Sequence, residues 1–178
     1  MPRLALLAAL VLAGPAVAQD GLGHALEIGS HVRLMSVMAE NEPSPFVTDG
    51  CSGGLSVGWS FAAEAFPGFA DLHGNRPPWE ECCITHDRAY HDPDALDAEA
   101  SFTARRAADV TLRACVVASA QERSEELQAA YGLTPEGVVQ VYKGIADTMF
   151  NAVRLGGGPC TLLPWRWGYG YPLCPLVE

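Results

Sequence analysis

Apolar residues recur at helical spacing along most of the chain, and the stretches between them are short and rich in Pro, Gly, Asn and Asp. Residues 25–40 set Leu26, Val32, Met35 and Met38 among polar neighbours, which predicts a helix burying those side chains. Asn41-Glu42-Pro43-Ser44-Pro45 ends it. Residues 55–71 read as an apolar helical excursion carrying Trp59, Phe61, Phe66 and Phe69, broken at Pro67-Gly68, and residues 71–78 as loop. Pro77 and Pro78 ahead of Trp79-Glu80-Glu81 mark a helix start, because proline lacks the donor a first turn leaves unused and acids oppose the helix dipole. That helix is predicted over residues 79–91. Beyond Asp92-Pro93-Asp94, where Asp94 or a neighbour can cap, the alanine-rich sequence from Ala95 predicts one long helix running toward Tyr131, stopped by Gly132. Thr134-Pro135-Glu136 opens a last helix striped by Val138, Tyr142, Ile145, Met149 and Val153, with Gly156-Gly157-Gly158 as its stop. The expected fold is all-α: two long antiparallel helices joined by a short connection, with additional packing helices around them.

The first residues change the compartment rather than the fold. Met1-Pro2-Arg3, an apolar run over residues 4–13 and Ala16-Val17-Ala18 have the layout of a secretory signal peptide, residues 1–18, cleaved after Ala18. Residues 19–178 are then expected to form one domain, secreted or periplasmic. No stretch supplies the ~18 uninterrupted apolar residues of a membrane span. The six cysteines all follow the leader, and an even count in an exported chain favours disulfides over a metal site. Eleven basic against 21 acidic residues leave a formal charge of −10, and no Lys or Arg cluster forms a stripe. Nucleic acid is excluded as a partner on that ground, adsorption to strongly anionic lipid is weakened, and a cation such as calcium is favoured.

Candidate chemistry concentrates on the helix at residues 79–91. Cys83, His86, Asp87 and Tyr90 stand at i, i+3, i+4 and i+7, so an imidazole, a carboxylate and a phenol share one face with a cysteine. Cys82 points elsewhere, since consecutive helical side chains diverge by about 100°. Thr48-Asp49-Gly50-Cys51-Ser52-Gly53-Gly54 is as compatible with a plain turn as with a loop whose carbonyl and carboxylate oxygens bind a hard cation. Asp109 is a lone acid on an alanine-rich stretch; folding back at residues 92–94 brings it level with His86, while solvent exposure is the default for such a residue. His73 has no ligand-spaced partner and reads as a hydrogen-bonded or surface histidine. In the tail, Cys160 and Cys174 flank Trp165-Arg166-Trp167-Gly168-Tyr169-Gly170-Tyr171, rings that serve core packing more readily than a bilayer interface. A His-Glu-x-x-His zinc motif is missing, which disfavours a zinc hydrolase, and water activated by a histidine base is a natural hydrolytic scheme.

Cys82-Cys83-Ile84-Thr85-His86-Asp87 resembles the Cys-Cys-x-x-His-Asp helix of secreted phospholipase A2, and Thr48-Asp49-Gly50-Cys51-Ser52 resembles the calcium loop of that family's bacterial and fungal branch. The resemblance implies calcium-dependent hydrolysis of the sn-2 ester of glycerophospholipids, with a phospholipid membrane surface or micelle as partner. It makes His86 the general base, Asp109 the acid that orients it and Tyr90 the residue holding that acid. It assigns calcium to Asp49, Gly50 and Asp87; the animal branch would instead use carbonyls at Gly50, Ser52 and Gly54. It further implies disulfides Cys51–Cys83 and Cys82–Cys115, leaving Cys160–Cys174. The segment between Cys51 and Cys83 is markedly longer than in the family, the chain beyond Tyr131 has no counterpart, and Arg88 and Ala89 depart from the bacterial pattern. A non-catalytic calcium- or lipid-binding protein, or a toxin-like module on the same scaffold, is the alternative.

Overall fold

The structure, a computed structural model, describes residues 14–51 and 55–175, so residues 1–13 of the expected leader lie outside it. Within the described residues the chain is all-helical, with no strand. The helices are α1 (Gly14–Glu40), α2 (Leu55–Ala65), α3 (Pro67–His73), α4 (Glu80–His91), α5 (Ala98–Ala118), α6 (Ser124–Tyr131) and α7 (Pro135–Gly156). No helix among these residues is long and apolar enough to cross a membrane.

Helix α5 is the hub, since α1, α4 and α7 all pack against it. Asp97 caps its start by accepting from the Ala100 amide at 2.8 Å, a little later than Asp94. The α4–α5 pair is antiparallel, because Cys82 bonds Cys115, His86 meets Asp109 and Tyr90 meets Arg105, each step up one helix matching a step down the other. Thr134 caps α7 by accepting from the Gly137 amide, with Pro135 at its first position, as the sequence pattern required. One core gathers Trp79, Cys82, Cys83, Leu112, Val116, Ala120, Leu127, Val138, Tyr142 and Ala146 between α4, α5, α6 and α7. A second, built on Leu34, Tyr90 and Trp167, joins α1 and the tail to the C-terminal end of α4.

The tail is a strap across the end of α4. Gly168 and Gly170 amides donate to the Tyr90 and His91 carbonyls at 2.6 and 2.9 Å, satisfying acceptors that a helix C-terminus leaves open. Trp167 is fully buried, as the packing reading of the tail required. All three disulfides, Cys51–Cys83, Cys82–Cys115 and Cys160–Cys174, are formed.

Three expectations need correction. The helix predicted from Ala95 to Tyr131 is two helices: after Ala118 the amides of Ala120 and Gln121 reach back only three residues, to Val117 and Ala118. The turn lets both Ala120 and Leu127 enter the core, and Arg123 then ties α6 to the Leu72 carbonyl. Helix α1 starts at Gly14 rather than Ala25, and its inward stripe is Glu27, His31, Leu34 and Met38, whereas Leu26 and Val32 are exposed. The loop predicted from residue 71 begins only after His73, where α3 ends; His73 itself sits 2.7 Å from the Tyr131 hydroxyl.

The Cys51–Cys83 bond spans 32 residues, for which loop-closure entropy gives about 3–4 kcal/mol of stabilisation. Cys51→Ser with Cys83→Ser is therefore expected to lower the unfolding free energy by about 3 kcal/mol in a urea titration.

Candidate active site

Helix α4 presents Cys83, His86, Asp87 and Tyr90 from one face, and all four are buried. His86 Nε2 lies 2.8 Å from Asp109 Oδ1. Asp109 is fully buried, against the exposure usual for an acid, because α5 faces it into this site. The Tyr90 hydroxyl donates to the same Oδ1 at 2.7 Å, and burial pushes its own pKa well up, so it remains a donor. With Asp109 accepting at Nε2, the tautomer that fits leaves Nδ1 as the basic nitrogen of His86.

The second oxygen of Asp109 accepts from Arg154 Nη1 at 3.0 Å. Behind it, Arg105 Nε donates to the Tyr90 hydroxyl at 3.2 Å, and its Nη2 donates to the Val153 and Arg154 carbonyls at the end of α7. Glu27 on α1 bridges both arginines, accepting from Arg154 Nη2 at 2.8 Å and from Arg105 Nη1. Sequence reasoning missed Arg105, Arg154 and Glu27. Only Arg105, four residues before Asp109 on the same helix, left a readable spacing.

The loop at residues 48–51 is pinned to α4. Thr48 Oγ1 donates to Asp87 Oδ2 at 2.5 Å and accepts from the Gly50 amide, while Cys51 is bonded to Cys83. Ser56 Oγ accepts from the Cys51 amide at 2.9 Å and donates to Glu80. Gly50 has φ +77°, and a Cβ there would stand 2.5 Å from Glu80 Oε1, so no other residue fits the turn. Asp49, Thr48 and Asp87 line one recess of about 280 Å³ with Trp165 and Tyr169. Burial, and secondarily the negative charge of Asp49, push the Asp87 carboxyl up to about 6 against the opposing Thr48 hydrogen bond and His86 charge.

The structure thus brings Asp49 and Asp87 to one recess, whereas Gly50, the third residue of the expected set, lines a neighbouring recess with Ser56 and Glu80. Of the alternative carbonyl set, Ser52 and Gly54 lie outside the described residues. Two carboxylates beside a backbone turn are the donors hard cations take, and the strain of keeping Asp87 ionised is what such an ion relieves. Among the described residues no group of three or more His, Cys, Asp or Glu side chains is placed to hold a metal ion, so Asp49 and Asp87 are a pair without a third such side chain.

An apolar cleft of about 220 Å³ opens onto His86 and Asp87, walled by Leu55, Leu112, Met149, Val153 and Trp165. Trp165 lines both this cleft and the acidic recess, so the tail roofs the place where the two meet. Its ring lies so close to Gly156 that a Cβ there would come within 2.6 Å of Cη2. The arrangement can take a proton from water at His86, hold a cation at Asp87 and seat an apolar chain alongside both. Compared with protein-family models, with curated proteins and with solved structures, the chain finds no match.

Proposed function

We propose that the protein is an exported, calcium-dependent phospholipase of the A2 type, hydrolysing the sn-2 ester of glycerophospholipids with water activated by His86. The observation that carries this reading is the His86–Asp109 pair, 2.8 Å apart and buried, beside the Asp49–Asp87 recess at the mouth of an apolar cleft. An imidazole backed by a carboxylate suits a general base, the recess suits a hard cation, and the cleft suits an acyl chain. Three disulfides suit the oxidising compartment that export reaches.

On this reading His86 Nδ1 takes the proton of the attacking water while Nε2 keeps its hydrogen bond to Asp109. Asp109 then faces an imidazolium and stabilises it, and Tyr90 and Arg154 keep the carboxylate from turning away. The proton returns from Nδ1 to the departing alkoxide. Asp49, Asp87 and the Gly50 carbonyl would hold calcium, whose chemistry here is to bind the substrate phosphate and polarise the ester carbonyl. Leu55, Leu112, Met149, Val153 and Trp165 exclude bulk water from the acyl chain.

Fatty-acid release from mixed phospholipid vesicles in calcium, abolished by chelator and by His86→Ala, tests the proposal. Calcium binding with no release from any lipid points instead to a binding module on this scaffold. A second expectation concerns the roof. Trp165→Ala removes apolar contact of roughly 1–2 kcal/mol with the chain, so KM for a short-chain monomeric substrate should rise about tenfold with kcat changed far less. A loss confined to kcat would mean that Trp165 does not line the bound chain.

A further inference from the structure

The buried charges behind Asp109 are more numerous than a histidine–carboxylate pair requires. Arg105 is fully buried, Asp109 likewise, and Glu27 and Arg154 are mostly covered, with side-chain exposures of 19% and 17%. Two cations and two anions cancel, but each has been taken out of water, and such clusters add little net stability over apolar packing. Their geometry is specific. Asp109 has one oxygen for His86 and Tyr90 and the other for Arg154. Arg154 spends one Nη on Asp109 and the other on Glu27, so the carboxylate of Glu27 fixes the plane of the guanidinium that fixes the plane of Asp109. Arg105 repeats the device on Tyr90, touching Glu27 with Nη1 and the Tyr90 hydroxyl with Nε.

Glu27 is held as an anion. Burial alone would raise its pKa, yet His31 nearby and the charges of Arg105 and Arg154 outweigh that and bring it down to about 2. His31 Nε2 stands 3.8 Å away, beyond hydrogen-bond reach, so the arginines are the contacts that matter. The helix carrying Glu27 is itself fastened to α5, because Ser101 Oγ lies 2.8 Å from His31 Nδ1 and accepts from Trp167 Nε1.

We propose that Glu27 and Arg154 are positioning residues for the His86–Asp109 pair, so that α1 completes the site without touching substrate. This rests on the reading of His86 as the base. Arg154 holds Asp109 Oδ2 and thereby aims Oδ1 at Nε2; Glu27 holds Arg154. Release of either end lets the Asp109 carboxylate rotate toward its remaining donors, and His86 loses the acceptor that orients its ring. Neither Glu27 nor Arg154 lines the acidic recess, so cation binding does not depend on them.

The test compares the full chain with Glu27→Gln, Arg154→Gln, Arg154→Lys and the double Gln variant, after thermal melts confirm folding. Expected are kcat losses of about 10- to 100-fold for the Gln variants, the scale of a displaced catalytic group. KM and calcium affinity should stay within about twofold, and the double variant should lose no more than the worse single one, because both act through one link. Arg154→Lys, which can still reach Asp109, should recover part of kcat. Independently of turnover, the Nε2 proton of His86, followed with isotope-labelled histidine and identified by its absence in His86→Ala, should exchange at least about tenfold faster in the Gln variants. Folded Gln variants with parental kcat and parental exchange would overturn the proposal, as would equal losses of kcat and calcium affinity. Should Arg154→Gln fail to fold, the isosteric Glu27→Gln decides by the same readouts. A parent that hydrolyses no phospholipid sinks the proposed reaction alone, and the histidine proton still decides the positioning role.

Discussion

His86→Ala is expected to reduce fatty-acid release by about 10³-fold or more, because the proposed reaction assigns the proton transfer to His86 and general-base catalysis contributes about 10²–10⁴. In free energy that is about 4 kcal/mol of lost transition-state stabilisation. Calcium affinity should stay within about twofold of the parent, since the His86 ring is turned to Asp109 and the carboxylates of the recess are untouched. The measurement is kcat on a monomeric phospholipid together with calcium titration of both proteins. The contrast between the two numbers matters more than either. Parallel losses would mean that the histidine shapes the ion site rather than the water, and undiminished release would place the chemistry elsewhere. Tyr90→Phe, which leaves Asp109 with His86 and Arg154, should cost far less than His86→Ala.

Asp87→Asn is expected to act in opposite directions with and without calcium. The Asp87 carboxyl, at about 6 instead of an ordinary 3.8, holds its proton more tightly folded than unfolded. A raised carboxyl pKa means that the cost of ionisation is absent below about 3.8 and fully present above about 6, so metal-free stability from this group rises as pH falls through that window. The shift corresponds to about 3 kcal/mol at most, and solvent screening at the recess mouth reduces it to roughly 1–2 kcal/mol. Asparagine avoids the cost and still accepts from Thr48. In chelator at pH 8 the variant should therefore melt about 2–6 °C higher than the parent. With calcium the order reverses, because the ion stabilises whichever protein binds it and the variant has lost a charged oxygen; affinity should fall at least about tenfold. A variant destabilised in chelator would show that Asp87 is held by favourable partners rather than strained by burial.

Helix α4 was legible because its boundary signals are local. Pro77-Pro78 and the acids after them set its start within one residue, and the i, i+3, i+4, i+7 stripe placed His86, Asp87 and Tyr90 on one buried face. Helix α7 was legible for the same reason, from Thr134-Pro135 to Gly156. In helix α1 hydrophobicity does not mark the inward face, since Leu26 and Val32 are exposed. Its inward face carries Glu27 and His31, and these are buried by partners seventy or more positions away, Arg105 and Ser101. No property of residues 25–40 encodes that. The break after Ala118 was invisible for a related reason: alanine-rich sequence favours helix on either side of it, and the turn exists because Ala120 and Leu127 must both reach the core.

The tail shows the same divide at the site. Its rings were readable as packing, and Trp167 is packing. That Trp165, two positions earlier, roofs the cleft beside His86 follows from a disulfide-closed strap crossing the end of α4, a path that spacing does not specify.

By itself the sequence determined the helical class, the helix that carries the imidazole and carboxylate, and the turn glycine beside them, since each is written in neighbouring residues whose preferences act over one or two turns. Only the tertiary structure decided that Asp109 faces inward, that Arg154 and Glu27 stand behind it and that Asp49 shares a recess with Asp87. Those are pairings across long loops, and buried charge is stable only where distant partners arrive to meet it.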